Sequence, residues 1–239
     1  MTANSRSIST NQTGPHASLS INLERHLNAR YCKPIAQYNQ QAFSASIAIW
    51  QDSGKPLILD SGCGVGLSTL HLAARHPDHF VIGVDQSADR LARQSIWNAP
   101  RPENFTLVRA DLVDYWCLLL EAGIHPERHY LLYPNPWPKK RHLSRRWHGH
   151  PIFPAMVALG GHFECRSNWG VYIEECALVL RHMGVPAVTI DSHPDLDGSD
   201  WGEPITPFEK KYLSSGQTLW RCRTWLPPRA SPGAPFMLR

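Results

Sequence analysis

Apolar and polar positions alternate between two periods along this chain. Leu57-Ile58-Leu59 is a short apolar run that ends in Asp60 and then Ser61-Gly62-Cys63-Gly64-Val65-Gly66. A helical pattern follows, with Leu67, Leu70, Leu72 and Ala74 carrying much of its apolar surface. Phe80 to Val84 is a second apolar run, closed by Asp85. The same rhythm predicts a Ser87-capped helix to about Trp97, a strand over Phe105–Arg109 and a helix to about Gly123. Further strands are expected at Tyr130–Tyr133, Phe163–Arg166 and Pro186–Ile190, with helices over Pro151–Leu159 and Val171–His182. In that last helix Tyr172, Ile173, Cys176, Leu178 and Leu180 are expected to face inward. Gln217 to Trp225 alternates strictly and reads as an antiparallel last strand at one side of the sheet. Upstream, Leu23 to Trp50 reads as helix broken near Pro34, with Ile35, Tyr38, Phe43, Ile47 and Ile49 toward the core. The expected fold class is α/β, a doubly wound, mostly parallel seven-stranded sheet.

Three boundaries complete this picture. Residues 1–20 are polar and are expected to be disordered. Residues 21–226 form a single domain, and a Pro-rich tail over 227–239 is loose. Asp191 to Gly202 reads as a mobile loop.

The glycine turn narrows the ligand. Gly62, Gly64 and Gly66 depart from a dinucleotide fingerprint, because the third glycine comes one residue early. Asp60 stands directly before the turn, where a carboxylate repels a pyrophosphate and attracts an ammonium group. Asp85, at the tip of the second strand, suits a ribose diol. A ligand with a ribose, an ammonium and no phosphate fits, and S-adenosylmethionine is such a ligand. Asp111 follows the third strand; it either accepts the amine of an adenine or caps the next helix.

Composition adds constraints. The 239 residues suffice for one large domain, and no apolar run approaches the length of a membrane span. The first residues lack a signal-peptide core, so a cytoplasmic protein is expected, with no membrane. Six cysteines are scattered with no C-x-x-C pair, which predicts buried reduced thiols and no metal site. The net charge of +4 is modest but uneven. Between Arg128 and Phe163 there is no Asp or Glu, while Lys139, Lys140, Arg141, Arg145 and Arg146 all fall there. A block of this kind suits a polyanion such as nucleic acid, or is a solvated basic loop.

The block begins with Pro134-Asn135-Pro136-Trp137-Pro138-Lys139-Lys140-Arg141-His142. Three prolines in five residues forbid helix and stiffen the loop. With Ser167-Asn168-Trp169, Thr206-Pro207-Phe208-Glu209 and an N-terminal Pro34-Ile35-Ala36…Asn39-Gln40, the chain resembles the bacterial tRNA (guanine-N7)-methyltransferases over roughly Tyr31 to Trp225. Those enzymes modify a guanine of the variable loop. The resemblance implies S-adenosylmethionine as cofactor, tRNA as partner, no metal, and a monomer or homodimer. It implies cofactor contacts at Asp60, Gly62, Gly64, Gly66, Asp85, Asp111 and Asn135, with Asn135 also nearest the reaction. It implies substrate contacts at Lys139, Asn168, Thr206 and Glu209, and Arg141 beside them is expected to hold phosphate or base with Lys139. Trp137 either packs beside the base or anchors the loop, and His142 is expected to be a surface residue.

The family pattern has acids where this chain has Asn135 and Asn168. Each change removes a negative charge. A carboxylate matches the two N–H donors of a guanine edge, whereas an amide offers one donor and one acceptor. A slower enzyme, or a different base or atom, are both consistent with the change. The Asn-Pro-Trp turn also looks like the Asn-Pro-Pro-Tyr loops of amino-methyltransferases. Besides an RNA methyltransferase, two readings stay open: a methyltransferase acting on a small molecule, and a non-catalytic binding protein.

Overall fold

The computed structural model describes residues 5–28, 33–93, 101–193 and 201–228. Helices α1 (Leu19–Leu27) and α2 (Gln37–Ser53) lead into β1 (Leu57–Ser61), α3 (Leu67–Arg75), β2 (Phe80–Asp85) and α4 (Ala88–Leu91). Then come β3 (Phe105–Arg109), α5 (Leu112–Glu121), β4 (Arg128–Leu132), α6 (Phe153–Ala158), β5 (Gly161–Ser167) and α7 (Gly170–His182). β6 (Thr189–His193), α8 (Pro207–Leu213) and β7 (Leu219–Leu226) complete the order. The seven strands lie in one sheet in the order β3-β2-β1-β4-β5-β7-β6. β1 to β5 pair in parallel, and β7 runs antiparallel to both β5 and β6. This is the expected doubly wound sheet with an antiparallel last strand.

The strand order reverses beside β1, where it passes from β2 on one side to β4 on the other. Ligands of open α/β sheets bind at such a switch point, beyond the carboxyl ends of the strands. β1 and β2 are buried throughout, as the apolar runs require of strands covered on both faces. Leu57, Leu59, Ile82, Phe163 and Cys165 join α1, α2, α5, α6 and α7 in the larger core. Ile58, Val81, Tyr130 and Leu132 meet Leu72 and Ala73 of α3 on the opposite face. Burying each such Leu or Ile contributes about 1.5–3 kcal/mol.

Several expectations change. Residues 5–18 are pinned rather than loose: Gln12 is buried and bonded to Glu175. β4 starts two residues earlier than expected and stops before Tyr133, whose φ is +51°. β6 begins at Thr189, not Pro186, because Pro186 lacks an N–H and Ala187 adopts φ +53°. Asp191 therefore belongs to a strand and binds Arg221 at 2.7 Å rather than lying in a loop. β7 is interior and β6 is the edge. Leu178, Tyr38 and Ile49 are exposed, and Ala73 rather than Ala74 faces the core. Part of the helix expected after Ser87, the centre of the 191–202 segment, the tail beyond Pro228 and Cys32 lie outside the described residues. The other five cysteines are buried free thiols. Among the described residues, no helix is long and apolar enough to cross a membrane.

Candidate active site

The glycine turn is built by close packing. Gly62, Gly64 and Gly66 have φ of +77°, +60° and +80°, a region L side chains rarely adopt. A Cβ on Gly83 of β2 would lie 2.2 Å from Thr69 Oγ1, so only glycine lets the start of α3 settle onto the sheet there. That settling brings Ser68 and Thr69 to Asp60: their hydroxyls donate to Oδ2 at 2.6 and 2.7 Å. Asp60 is fully buried, and its Oδ1 has no partner. Burial pushes its carboxyl up to about 6, against the opposing effect of those two hydroxyls.

Asp85 closes the other side. Its Oδ2 accepts from Gly64 N at 3.0 Å, its Oδ1 from Ser87 N at 2.8 Å, and Arg90 approaches to 3.6 Å. Each carboxylate oxygen can accept more than one hydrogen bond, so ribose hydroxyls can still be received. Asp60 with an orphaned oxygen and Gly64 with open space where a side chain would stand fit an ammonium-bearing nucleoside.

Asp111 takes the capping alternative, with Oδ1 accepting from Val113 N at 2.8 Å. Asp114, which the sequence did not single out, is the buried hub behind it. It accepts from Lys33 Nζ at 2.7 Å, Asn39 Nδ2 at 2.5 Å and Ala36 N at 3.1 Å. Asn39 Oδ1 in turn accepts from Asp111 N at 3.1 Å. The Pro34-Ile35-Ala36…Asn39 segment thus fixes α2 against the strand end that carries Asp111.

The proline loop leaves β4 through Tyr133 and turns at Trp137, with φ of +51° and +45°. Left-handed backbone at two aromatic residues is strain, of the kind that persists where surrounding contacts over-determine it. Asn135 is exposed and makes a turn in which its Oδ1 accepts from Trp137 N at 3.3 Å. Trp137 packs edge-on to His142 at 5.5 Å and lies under Arg145 at 4.8 Å, which favours the loop-anchor role. Lys139, Lys140, Arg141 and Arg145 are exposed, but Arg146 is completely buried and leaves the cationic face. Residues 9–11 run opposite Pro138–Arg141 and enclose with them a recess of about 560 Å³. Thr10 Oγ1 donates to Pro138 O at 2.7 Å across it.

Three substrate candidates stand at the β5 and α8 corner. Asn168 donates to Gln217 Oε1 at 2.9 Å, and Gln217 donates to Ser5 O at 2.9 Å. Thr206 caps α8 by accepting from Glu209 N at 2.9 Å. Glu209 is fully buried, with Arg166, Trp201 Nε1 at 2.7 Å and Ile205 N at 2.9 Å all donating to its carboxylate. Arg166 and Arg221 both stack on Trp201, at 4.9 and 4.7 Å. Tyr133 sits beside this group; burial, and then the charge of Glu209, push its hydroxyl up. Asp60 and Asp85 thus lie at the carboxyl ends of β1 and β2, and Asp111, Asn135 and Asn168 just beyond those of β3, β4 and β5, while Glu209 is bound into the wall. Among the described residues, no group of His, Cys, Asp or Glu could hold a metal.

Residues 54–222 match the family described as "Putative methyltransferase". The chain belongs to this methyltransferase family. Its sheet is the fold of the solved methyltransferases described below. Curated relatives include the tRNA (guanine-N(7)-)-methyltransferase of Albidiferax ferrireducens, 27% identical over 183 residues, which are 69% of this chain and 70% of that protein. The protein of the same name from Polaromonas sp. is 28% identical over 182 residues, 69% of each chain. Among solved structures, an antibiotic-related methyltransferase superposes with a TM-score of 0.53 at 17% identity, over 77% of this chain and 94% of that one. The 16S rRNA methyltransferase KamB gives 0.50 at 14%, over 82% and 96%. At these identities the superpositions establish the fold.

Proposed function

We propose that this methyltransferase, acting as one domain over about 21–226, transfers a methyl group to a base nitrogen of tRNA in the cytoplasm, and that guanine N7 is the acceptor. The observation that carries the reading is the row of exposed cations Lys139, Lys140, Arg141 and Arg145 on a loop leaving the same sheet edge as the glycine turn. Such a row neutralises backbone phosphates. The curated relatives, named for tRNA guanine N7, support the choice of substrate.

The residues divide the work as follows. S-adenosylmethionine, when bound, supplies an electrophilic sulfonium methyl. Asp60 receives the ammonium at its unpartnered Oδ1 and Asp85 the ribose hydroxyls, while Asp111 caps α5 beside them. Guanine N7 carries a free lone pair, so no residue need act as a base. What the chain supplies is placement and exclusion of water. Asn135 sits between methyl and base, Lys139 and Arg141 hold phosphate, and Asn168 and Thr206 border the base. Glu209 acts by fixing that border.

Asn135 Oδ1 accepts from Trp137 N and keeps a second lone pair, so its amide offers both donors and an acceptor to a base. The N–H donors match the O6 acceptor beside guanine N7. The choice of guanine rests on the curated relatives. Incubation of the purified protein with unmodified tRNA and labelled S-adenosylmethionine, followed by nucleoside mass spectrometry, tests the reading. 7-Methylguanosine is the expected product. Another methylated nucleoside would overturn the acceptor, turnover without RNA would overturn the substrate, and RNA binding without transfer would overturn the activity.

A further inference from the structure

Arg146 has an environment that the basic loop alone does not explain. Its guanidinium is completely buried, 4.8 Å over the ring of Trp169. It donates to Glu175 Oε2 at 2.5 Å and to Gln12 Oε1 at 2.9 Å, and through Nε and Nη2 to the carbonyl of Trp137, each at 3.2 Å. Glu175 is fully buried as well, and also accepts from Gln12 Nε2 at 2.6 Å, His16 N at 2.8 Å and His148 Nε2 at 2.8 Å. His148 Nδ1 has no partner, which assigns the neutral ring with its proton on Nε2.

A charge pair this deep is no strong source of stability, since apolar residues of similar volume often serve as well. Its specific product is geometric. Trp137 is gripped at both ends of its backbone: its N–H by the Asn135 side chain, its C=O by Arg146. The grip holds a residue at φ +45°, a conformation that needs such contacts to persist. Only a planar fork reaches Glu175, Gln12 and that carbonyl together; an ammonium cannot.

We infer that Arg146 is a positioning residue for methyl transfer: clasped by Glu175 and Gln12, it fixes the turn that presents Asn135. The inference rests on the proposed RNA methylation and deepens it. It also gives residues 5–16 a role, since Gln12 draws the N-terminal segment against Pro138 and completes the clasp.

Steady-state kinetics on tRNA, with calorimetric S-adenosylmethionine binding and urea unfolding, would be run on wild type, R146K, R146A, E175Q and Q12A. Folded R146K and E175Q are expected to lose about 10- to 100-fold in kcat, the cost of a small misplacement, with KM for tRNA and cofactor Kd nearly unchanged. Added guanidinium ion is expected to restore part of the R146A rate, and Q12A to lose a smaller factor. Wild-type kcat in folded R146K and E175Q would overturn the inference, as would a loss confined to KM, which would make Arg146 an RNA contact. If R146K does not fold, E175Q and Q12A carry the same test. If wild type methylates no RNA, the functional reading fails by itself. Hydrogen exchange over residues 133–146 then decides the clasp: faster exchange in Q12A supports it, and unchanged exchange overturns it.

Discussion

Asp60 of β1 and Glu209 of α8 are both fully buried acids, and they are provisioned in opposite ways. Glu209 has a cation, an indole and a backbone N–H on its carboxylate. Asp60 has two hydroxyls on one oxygen and nothing on the other. An isolated charge is costly in an apolar interior, so an acid left half-served awaits a cation from outside, whereas one fully served is part of the frame. The family resemblance assigns ligand contacts to both. Their surroundings separate a group that binds from a group that holds other groups in place.

The comparison breaks most visibly at Glu209. Glu209→Ala strips Trp201 Nε1, Ile205 N and one of the two carboxylates from Arg166, which keeps Glu164; the expected loss is about 3 kcal/mol in urea unfolding, with cofactor affinity of the folded fraction retained. Asp60→Asn is expected to do the reverse. Stability is kept or gained, while S-adenosylmethionine binding weakens by about 1.5–3 kcal/mol, the worth of a hydrogen bond to a charged group, as measured by calorimetry.

The same acid sets a pH signature. Its folded-state value is about 6, above the ordinary 3.8, so the folded chain holds this proton more tightly than the unfolded one. Its contribution to stability is therefore fully present below about pH 3.8 and lost as pH rises through 6. Cofactor affinity runs the other way, rising over that upper range as the carboxylate ionises. Asp60→Asn should flatten both curves. Glu175 has the opposite sign: burial alone would raise it, but His148 and Arg146 hold it at about 2, so its contribution is lost only as pH falls toward that value. The smallest effect is expected for Arg145→Ala on the exposed rim. RNA affinity should fall severalfold and the salt slope drop by about one, while cofactor binding stays unchanged.

What was legible in the sequence is what is local. The glycine turn, the acids at the strand tips and the proline loop each depend on neighbours within a few residues, and all appear where the pattern put them. Arg146 looks like one more surface cation because the carboxylate that pairs it, Glu175, and the amide that accepts from it, Gln12, lie 29 and 134 positions away. Gln12 lay in a polar stretch whose composition argued for disorder, and nothing local marked it as a buried clasp. Asp114 reads as an ordinary first-turn acid, since its partners Asn39 and Lys33 arrive from α2 and the segment before it. β6 slipped by three residues because apolar content alone does not register Ala187 in a left-handed conformation.

The insertion of β7 between β5 and β6 has a bearing on biogenesis. Emerging from the ribosome in order, β6 has no partner in the sheet until the segment after α8 arrives to bridge it. Asp191 and Arg221 meet only at that moment, as do the buried thiols of Cys165 and Cys222. A nascent polypeptide halted before Leu219 would leave the edges of β5 and β6 bare, a state exposed to aggregation and to chaperone capture.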